Sequence, residues 1–497
     1  MKAILAIDQG TTGTTAILIN SETMEFIGKV NKEYPQIYPK PGWVEHNLND
    51  IWESVRTSIL ELLANNKFSP SDIITIGITN QRETICPFTK NGEPISNAIV
   101  WQDRRTEEFC HSIDAETRKA ITLETGLPVD PYFSGTKIKW LIENDHKVKE
   151  EIKNQNCYFG TIDTFLIYKL TGNKSFFTEP SNASRTLLYN LKEGDWSSSL
   201  LDKFNVPSET LPKIKDSFGL FGHTYNLDFL PNNISITGVL GDQQAALFGQ
   251  AGISKGDSKC TYGTGAFYLM NTGDQLQYSD NGLLTTIAYR QNGKDYFALE
   301  GSCYIAGAAV QWLRDNLSFF ESSPEVEDLA RKATDESMKN IMFLPYFSGL
   351  GTPYWKSDAQ AAIVGLTRDT GKEQISRACL EGICLSINEL IEVFEKDSGI
   401  KASELKVDGG AVSNELLNQM QANFSNITII KPIVIETTAF GAAAAAAIGK
   451  DLFNKEELPN LWKQEKAYTA RPTDYNASKI KQWKSLINSL YLSNECI

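Results

Sequence analysis

The sequence predicts an α/β protein built from two halves of comparable architecture. Short apolar runs with strand character alternate with helix-period patterns along the whole chain. A strand, Gly/Thr turn, strand pattern opens the chain and returns near residue 258. The 497 residues leave room for two to four domains at about 150 residues each. The expected division is 1–250 and 251–497, with the boundary between Gly249 and Lys255.

The first strand is read over Lys2–Ile7 and the second over Ala16–Ile19, with DQGTTGTT between them as a hairpin turn. A helix follows at about Asp50–Leu63. Asp50 and Glu53 read as a capping box, and Ile51, Val55, Ile59 and Leu62 line one face. Ile73–Thr79 is β-rich and ends in polar residues, and Ala98–Val100 is a further short apolar run. GDQQAALFGQ (Gly241–Gln250) reads as a turn opening into a helix, and SKCTYGTGAFYLMNTG (Ser258–Gly273) as the second hairpin. A long helix is expected from about Gln374 to Glu395, with Gly399 as its terminator. ELKVDGGAVSNELLNQM (Glu404–Met420) reads as a strand, a Gly-Gly turn and a helix starting near Ser413. Ala442–Ala447 is expected to begin a tightly packed helix.

Composition narrows the function. Lys and Arg total 48 against 61 Asp and Glu, a net charge of −13. A surface that acidic repels phosphate backbones, so nucleic acid is not the expected partner. No run of 18 apolar residues predicts a membrane span, and the apolar stretch that ends at Asp8 is too short for a signal peptide. Eight Cys are scattered with no C-x-x-C pair, and there are four His. Reduced thiols in a cytoplasmic protein are expected, each Cys, including Cys496, acting as a small buried hydrophobe.

Three Gly-rich turns follow β-rich runs: Asp8–Thr12, Gly263–Gly265 and Asp408–Gly410. Glycine lets backbone N–H groups approach a phosphate, and threonine adds a hydroxyl donor. A single such turn is ordinary punctuation; three in one α/β chain point to a phosphate ligand. Asp8, at a strand end beside one of them, stands where a carboxylate can hold Mg²⁺ directly or through water, although a lone aspartate there more often makes local backbone hydrogen bonds in the turn. A second group of segments differs in chemistry. Asn80–Thr84, Trp101–Arg105, Asp130–Ser134 and Asp242–Gln244 gather carboxylates, guanidiniums, amides and aromatic rings. Aromatic faces beside bidentate polar groups suit a small polyol.

DQGTT, NQRET, WQDRR, DPYFSGTK, GDQQAALFGQ, YGTG, ALEG and VDGGAVSN occur in this order, with two longer stretches at Tyr132–Asn144 and Ala361–Gly382. The set resembles the FGGY carbohydrate kinases, and within them the glycerol-phosphorylating members. The resemblance covers nearly the whole chain. It implies two RNase H-like domains of the actin/hexokinase/Hsp70 superfamily around a central cleft. Glycerol would lie on the N-terminal side and MgATP on the C-terminal side. It implies that Arg82, Glu83, Tyr132, Asp242 and Gln243 hydrogen-bond glycerol, and that Trp101 and Phe267 form its apolar wall. Asp8 would be the metal-associated carboxylate. Thr11, Thr12, Gly263, Thr264, Gly307, Gln311, Gly410, Ala411 and Asn414 would face the nucleotide. Asp242 would act as the base in transfer of the γ-phosphoryl of ATP, the first step of glycerol catabolism. A homodimer or homotetramer is implied as well.

Two departures from the family pattern stand out. Thr15 occupies a position where many relatives carry a phosphate-contacting Arg. The stretch His223–Ile234, HTYNLDFLPNNI, lacks the basic Gly-rich effector loop and the phosphorylatable His found in some members, so neither form of regulation is expected. Two competing readings are a kinase of a ketose or longer polyol and an actin- or chaperone-like ATPase. NQRET and WQDRR weigh against the first, and the polyol-type cluster against the second.

Overall fold

The computed structural model describes residues 1–356 and 358–493; Cys496 lies outside them. Strands β1 (Ala3–Gln9), β2 (Gly13–Asn20), β3 (Phe26–Glu33), β4 (Ile73–Asn80), β5 (Phe218–His223) and β6 (Ser235–Gly241) form one sheet in the order β5-β6-β4-β1-β2-β3. Strands β7 (Ser258–Tyr262), β8 (Ala266–Gly273), β9 (Leu284–Gln291), β10 (Lys294–Cys303), β11 (Glu404–Asp408), β12 (Thr428–Pro432) and β13 (Gln464–Tyr468) form a second, in the order β9-β10-β8-β7-β11-β12-β13. Within each sheet the opening hairpin is antiparallel, β1 with β2 and β7 with β8. Its first strand then pairs in parallel with a later one, β1 with β4 and β7 with β11. β6 and β12 extend the two parallel runs. The shared topology is the RNase H-like arrangement the resemblance implied.

Helix α1 (Leu48–Asn65) covers one face of the first sheet. It begins earlier than the residue pattern suggests: Asn47, whose side chain accepts from the Asn49 amide, is the cap, and Asp50 lies inside the first turn. Burial of Leu48 draws the chain into helix at that point, so the Asp50–Glu53 capping box is not used. Ile51, Val55, Ile59 and Leu62 are buried as the periodicity requires.

The other face is covered by α2 (Asp242–Gly249) and by a helix from the far end of the chain, which follows α3 (Gly307–Asp315), α4 (Lys372–Ser398) and α5 (Glu415–Ser425). This helix, α6 (Thr437–Gly449), contains the alanine run at its centre rather than its start, and Ala442–Ala447 are all fully buried. Residues on β1 divide by strand parity. Leu5 and Ile7 pack on the α1 side, Ile4 and Ala6 on the α2 and α6 side.

Contact on the second side is backbone to backbone. A Cβ on Gly77 would stand 2.1 Å from the Ala442 carbonyl, and one on Gly238 would stand 2.2 Å from the Ala446 nitrogen. α2 and α6 cross the same way: a Cβ on Gly441 would stand 1.9 Å from the Ala245 carbonyl oxygen. Gly441→Ala is therefore expected to force the helices apart and destabilise the protein by about 1–3 kcal/mol or more. Thermal melting checks this, an unshifted transition refuting it.

α4 packs on the second sheet, and Gly399 ends it in a left-handed conformation at φ 67°. Of the eight cysteines, the seven described are free, and all but Cys303 are buried. No helix among the described residues is long and apolar enough to cross a membrane.

Candidate functional site

Strand register assembles the site. Asn80 pairs with Gln9 on one side and with Gly241 on the other. The segments that follow, Gly10–Thr12, Gln81–Glu83 and Asp242–Gln244, thus leave adjacent strands side by side at the carboxyl edge of the first sheet. That edge is where open α/β sheets bind ligands. The short helix Pro180–Ala183 ties two of these segments together. Its Asn182 exchanges hydrogen bonds with the Asn80 side chain, and its Ser181 hydroxyl accepts from the Gly241 amide at 2.8 Å.

Arg82 stands at the centre, 2 % exposed. Its Nε is 3.0 Å from Asp242 Oδ1, an ionic contact not aligned as a hydrogen bond. Its Nη1 and Nη2 donate to the two Glu300 carboxylate oxygens at 2.6 and 3.0 Å. Glu300, on β10 of the second sheet, also accepts from Arg185 at 3.0 Å, and Arg185 Nε donates to Glu83 at 2.6 Å. The result is a row of alternating charges: Glu83, Arg185, Glu300, Arg82, Asp242. The first four are buried and sum to zero. Asp242, at the end, has a side chain 29 % exposed and faces the open side. Glu83 adopts a left-handed φ of 60°, a strained backbone for a non-glycine residue that the Arg185 contact holds in place.

Aromatic residues wall this cluster and connect it to the first turn. Trp101 packs edge-on against Tyr132, with ring centroids 5.5 Å apart. Its indole Nε1 donates to the Thr11 hydroxyl at 2.9 Å. Burial, with Glu83 adding, holds the Tyr132 phenol far above its usual range, so it remains a neutral hydroxyl. One tryptophan thus touches both a residue expected to face the phosphates and one expected to face the polyol.

The second sheet repeats the construction. Thr261, near the end of β7, pairs with Asp408 at the end of β11, so the Gly263–Gly265 and Gly409–Gly410 turns emerge together. Gly409, at φ 89°, lies so close that a Cβ would stand 2.5 Å from the Tyr262 carbonyl. The Gly307 amide donates to the Gly263 carbonyl at 2.9 Å, which docks α3 and its exposed Gln311 on the hairpin turn. Thr264 and Gly410 are exposed, and Gly263 and Ala411 half-buried. The Gly-Gly turn does not lead straight into a helix near Ser413. A 3₁₀ turn spans Gly410–Ser413, and α5 starts at Glu415, capped by the Asn414 side chain on the Leu417 amide at 2.8 Å. Asp408 braces the scaffold: its carboxylate accepts from Gln250 after α2 and from Thr437 at the start of α6. Thr12 is exposed, and the Thr15 hydroxyl accepts from Asn31 at 2.9 Å.

The structure adds Glu300, Arg185 and Lys259 to the residues read from the sequence. Lys259 is fully buried beneath Gln243 and Phe267 and bonds to both. A Glu inside the apolar run Phe297–Gly301 and a Lys beside Cys260 were the available signals, because a charge in a buried strand requires a partner.

Sequence profiles of the FGGY family of carbohydrate kinases match residues 3–249 with the N-terminal domain and 258–449 with the C-terminal domain. The chain belongs to the FGGY family of carbohydrate kinases. Among similar proteins, the glycerol kinase of Desulforamulus reducens is 49 % identical over 93 % of this chain and 92 % of its own. The glycerol kinase of Staphylococcus haemolyticus is 45 % identical over 98 % of both chains. The crystal structure of Plasmodium falciparum glycerol kinase with ADP superposes with a TM-score of 0.90 at 35 % identity, covering 99 % of both chains.

In this FGGY kinase the buried charges make stability depend on pH. Burial alone would raise the Glu300 carboxyl, but Arg185 and Arg82 overcome it and hold the group at about 2. Folding therefore favours the ionised form. That contribution is complete above the ordinary value of 4.5 and is lost as pH falls from there toward 2. The melting temperature is expected to drop over this window, and less steeply in Glu300→Gln. Equal slopes for the two proteins in a melting series against pH would contradict the assignment.

Proposed function

We propose that this kinase transfers the γ-phosphoryl group of ATP to a terminal hydroxyl of glycerol, giving sn-glycerol 3-phosphate. The observation that carries the reading is Arg82 in contact with Asp242 at 3.0 Å while Trp101 spans Thr11 and Tyr132. Hydroxyl-reading groups and a phosphate-type turn then share one wall. Glycerol lies on the N-terminal side, residues 1–250. Arg82, Glu83, Tyr132 and Gln243 read its hydroxyls, and Trp101 and Phe267 flank its carbons. The nucleotide lies on the C-terminal side, residues 251–497, against the Gly263–Thr264 turn, Gly307, Gln311 and Gly410–Asn414, with its terminal phosphates toward Thr11 and Thr12.

Asp242, the exposed end of the charge row, accepts the proton of the attacking hydroxyl and orients its oxygen. Arg82 keeps that carboxylate in place. The Gly10 and Gly263 amides close their own turns by donating to the Gly13 and Gly265 carbonyls. The Thr11, Thr12 and Thr264 amides stabilise charge on the transferring oxygens, in a transition state that needs positioning more than a strong base. Closure of the two halves excludes water, which otherwise competes as acceptor.

The chemistry of the residues present fits a divalent cation at Asp8. Burial pushes its carboxyl up to about 8, and the charges of Asp242 and Glu436 add to the effect, an environment that a cation relieves. No cluster of three metal-ligating side chains occurs among the described residues. Mg²⁺ needs none: it takes one or two carboxylates and fills its octahedron with water and phosphate oxygens. When bound, it neutralises charge on the phosphoryl group.

Coupled ADP release with glycerol, Mg²⁺ and ATP, against a no-acceptor control, tests the reading. Glycerol-dependent turnover is expected. A preference for xylulose, ribulose or erythritol over glycerol overturns it, as does ATP turnover that glycerol does not stimulate.

A further inference from the structure

Lys259 sits on β7, and the pleat places it on the same face as Thr261, which pairs across the hairpin with Phe267. Its ammonium has no exposure to solvent. It donates to Gln243 Oε1 at 2.5 Å, to the Thr261 hydroxyl at 2.7 Å and to the Phe267 carbonyl at 3.4 Å. Three acceptors thus match its three donors. Burial draws the group below the usual lysine range, while the charges of Asp408, Asp242 and Glu300 favour its protonated form. Two of its partners, Gln243 and Phe267, are residues expected to touch the acceptor substrate, and Gln243 belongs to α2, outside the second sheet.

A carboxamide has one oxygen and one NH₂, and only the oxygen can face an ammonium. The Lys259 contact therefore fixes which way round Gln243 sits, with its NH₂ edge turned away from the lysine. Asp242, one residue earlier, can only accept. The start of α2 thereby offers an acceptor and a donor side by side.

We propose that Lys259 is a positioning residue for the acceptor substrate: it orients the Gln243 amide so that its NH₂ donates to a substrate oxygen, and it anchors the Phe267 backbone beside it. This rests on the glycerol kinase reading above. The matching ligand carries two neighbouring oxygens, one giving its proton to Asp242 and the other accepting from Gln243, as a vicinal diol does. Without Lys259 nothing holds the amide with its NH₂ toward the substrate oxygen, and the contribution of that hydrogen bond is lost.

Steady-state kinetics of the full-length parent and Lys259→Met, varying glycerol and ATP separately, test this. The expected result is a glycerol KM raised about tenfold, the loss of one hydrogen bond's contribution, with the ATP KM changed less than about twofold. Lys259→Gln, whose own NH₂ can still donate to Gln243, should recover most of the loss. An unchanged glycerol KM in a folded Lys259→Met protein overturns the proposal, as does an equal rise in both KM values. If Lys259→Met does not fold, Gln243→Glu decides. Its carboxylate keeps the lysine contact but removes the donor, so the melting temperature should hold and the glycerol KM should rise about tenfold or more. An unchanged glycerol KM there also overturns the proposal. A parent protein without glycerol-dependent turnover would instead refute the functional reading itself, and the two failures are therefore distinct.

Discussion

Asp242→Asn is expected to lower kcat for glycerol phosphorylation by about a hundredfold to ten-thousandfold, the range for losing a positioned proton acceptor. The substitution is nearly isosteric. The Asn oxygen can still accept from the Gln243 backbone N–H, which donates to Asp242 Oδ1 at 2.7 Å in the parent, so the first turn of α2 keeps its shape. What is lost is the capacity to take a proton and the attraction to Arg82. Gly263, Thr264 and Gly307 lie on other elements, so the ATP KM should move by no more than a few-fold and the melting temperature by little. Stopped-flow or coupled kinetics at saturating substrates read the effect. A kcat equal to the parent's would remove Asp242 from the role of base.

The second large effect is expected at Arg82. Arg82→Leu leaves Glu300 buried with one guanidinium in place of two, and it frees Asp242 from its ionic contact. Breaking a buried pair on one side costs about 3–5 kcal/mol, because the remaining charge stays desolvated. The substrate side loses a hydroxyl-reading donor as well. Glycerol kcat/KM is expected to fall by about a hundredfold or more, since binding and orientation fail together. Denaturant unfolding and kinetics on the same preparation separate the two contributions. The exposed pair between Arg56 and Asp228 is the contrast: Arg56→Leu should change neither measurement, because solvent screens that contact. A fully stable and active Arg82→Leu protein would show that the charge row is dispensable.

Much of this site is legible in the order of the residues. The two hairpins stand out because Gly and Thr interrupt alternating apolar runs, and the register that follows places NQRE beside DQQ. What a linear reading cannot supply is partnership across long separations. Glu300 and Arg185 are ordinary letters until burial demands that each find an opposite charge, and their partners lie about 100 to 220 residues away in the chain. Helix α1 begins early because Asn47 and Asp50 are both competent caps, and only the burial of Leu48 chooses between them. The six alanines declare a helix buried all round; they do not declare which sheet buries it. Asn414 carries the pattern of a nucleotide-facing residue, yet its side-chain oxygen closes the first turn of α5.

The position of α6 bears on how the protein is made. Strands β1, β4 and β6 have all been translated by residue 241 and α2 follows at once, yet the helix that covers Gly77 and Gly238 on their second face begins at Thr437. At about 5–20 residues per second, a ribosome needs roughly 10–40 s to bridge that interval. During it, an apolar surface around Gly77 and Gly238 has no permanent cover. The nascent chain is therefore most vulnerable to aggregation midway through synthesis, and a fragment released near residue 250 would remain in that state.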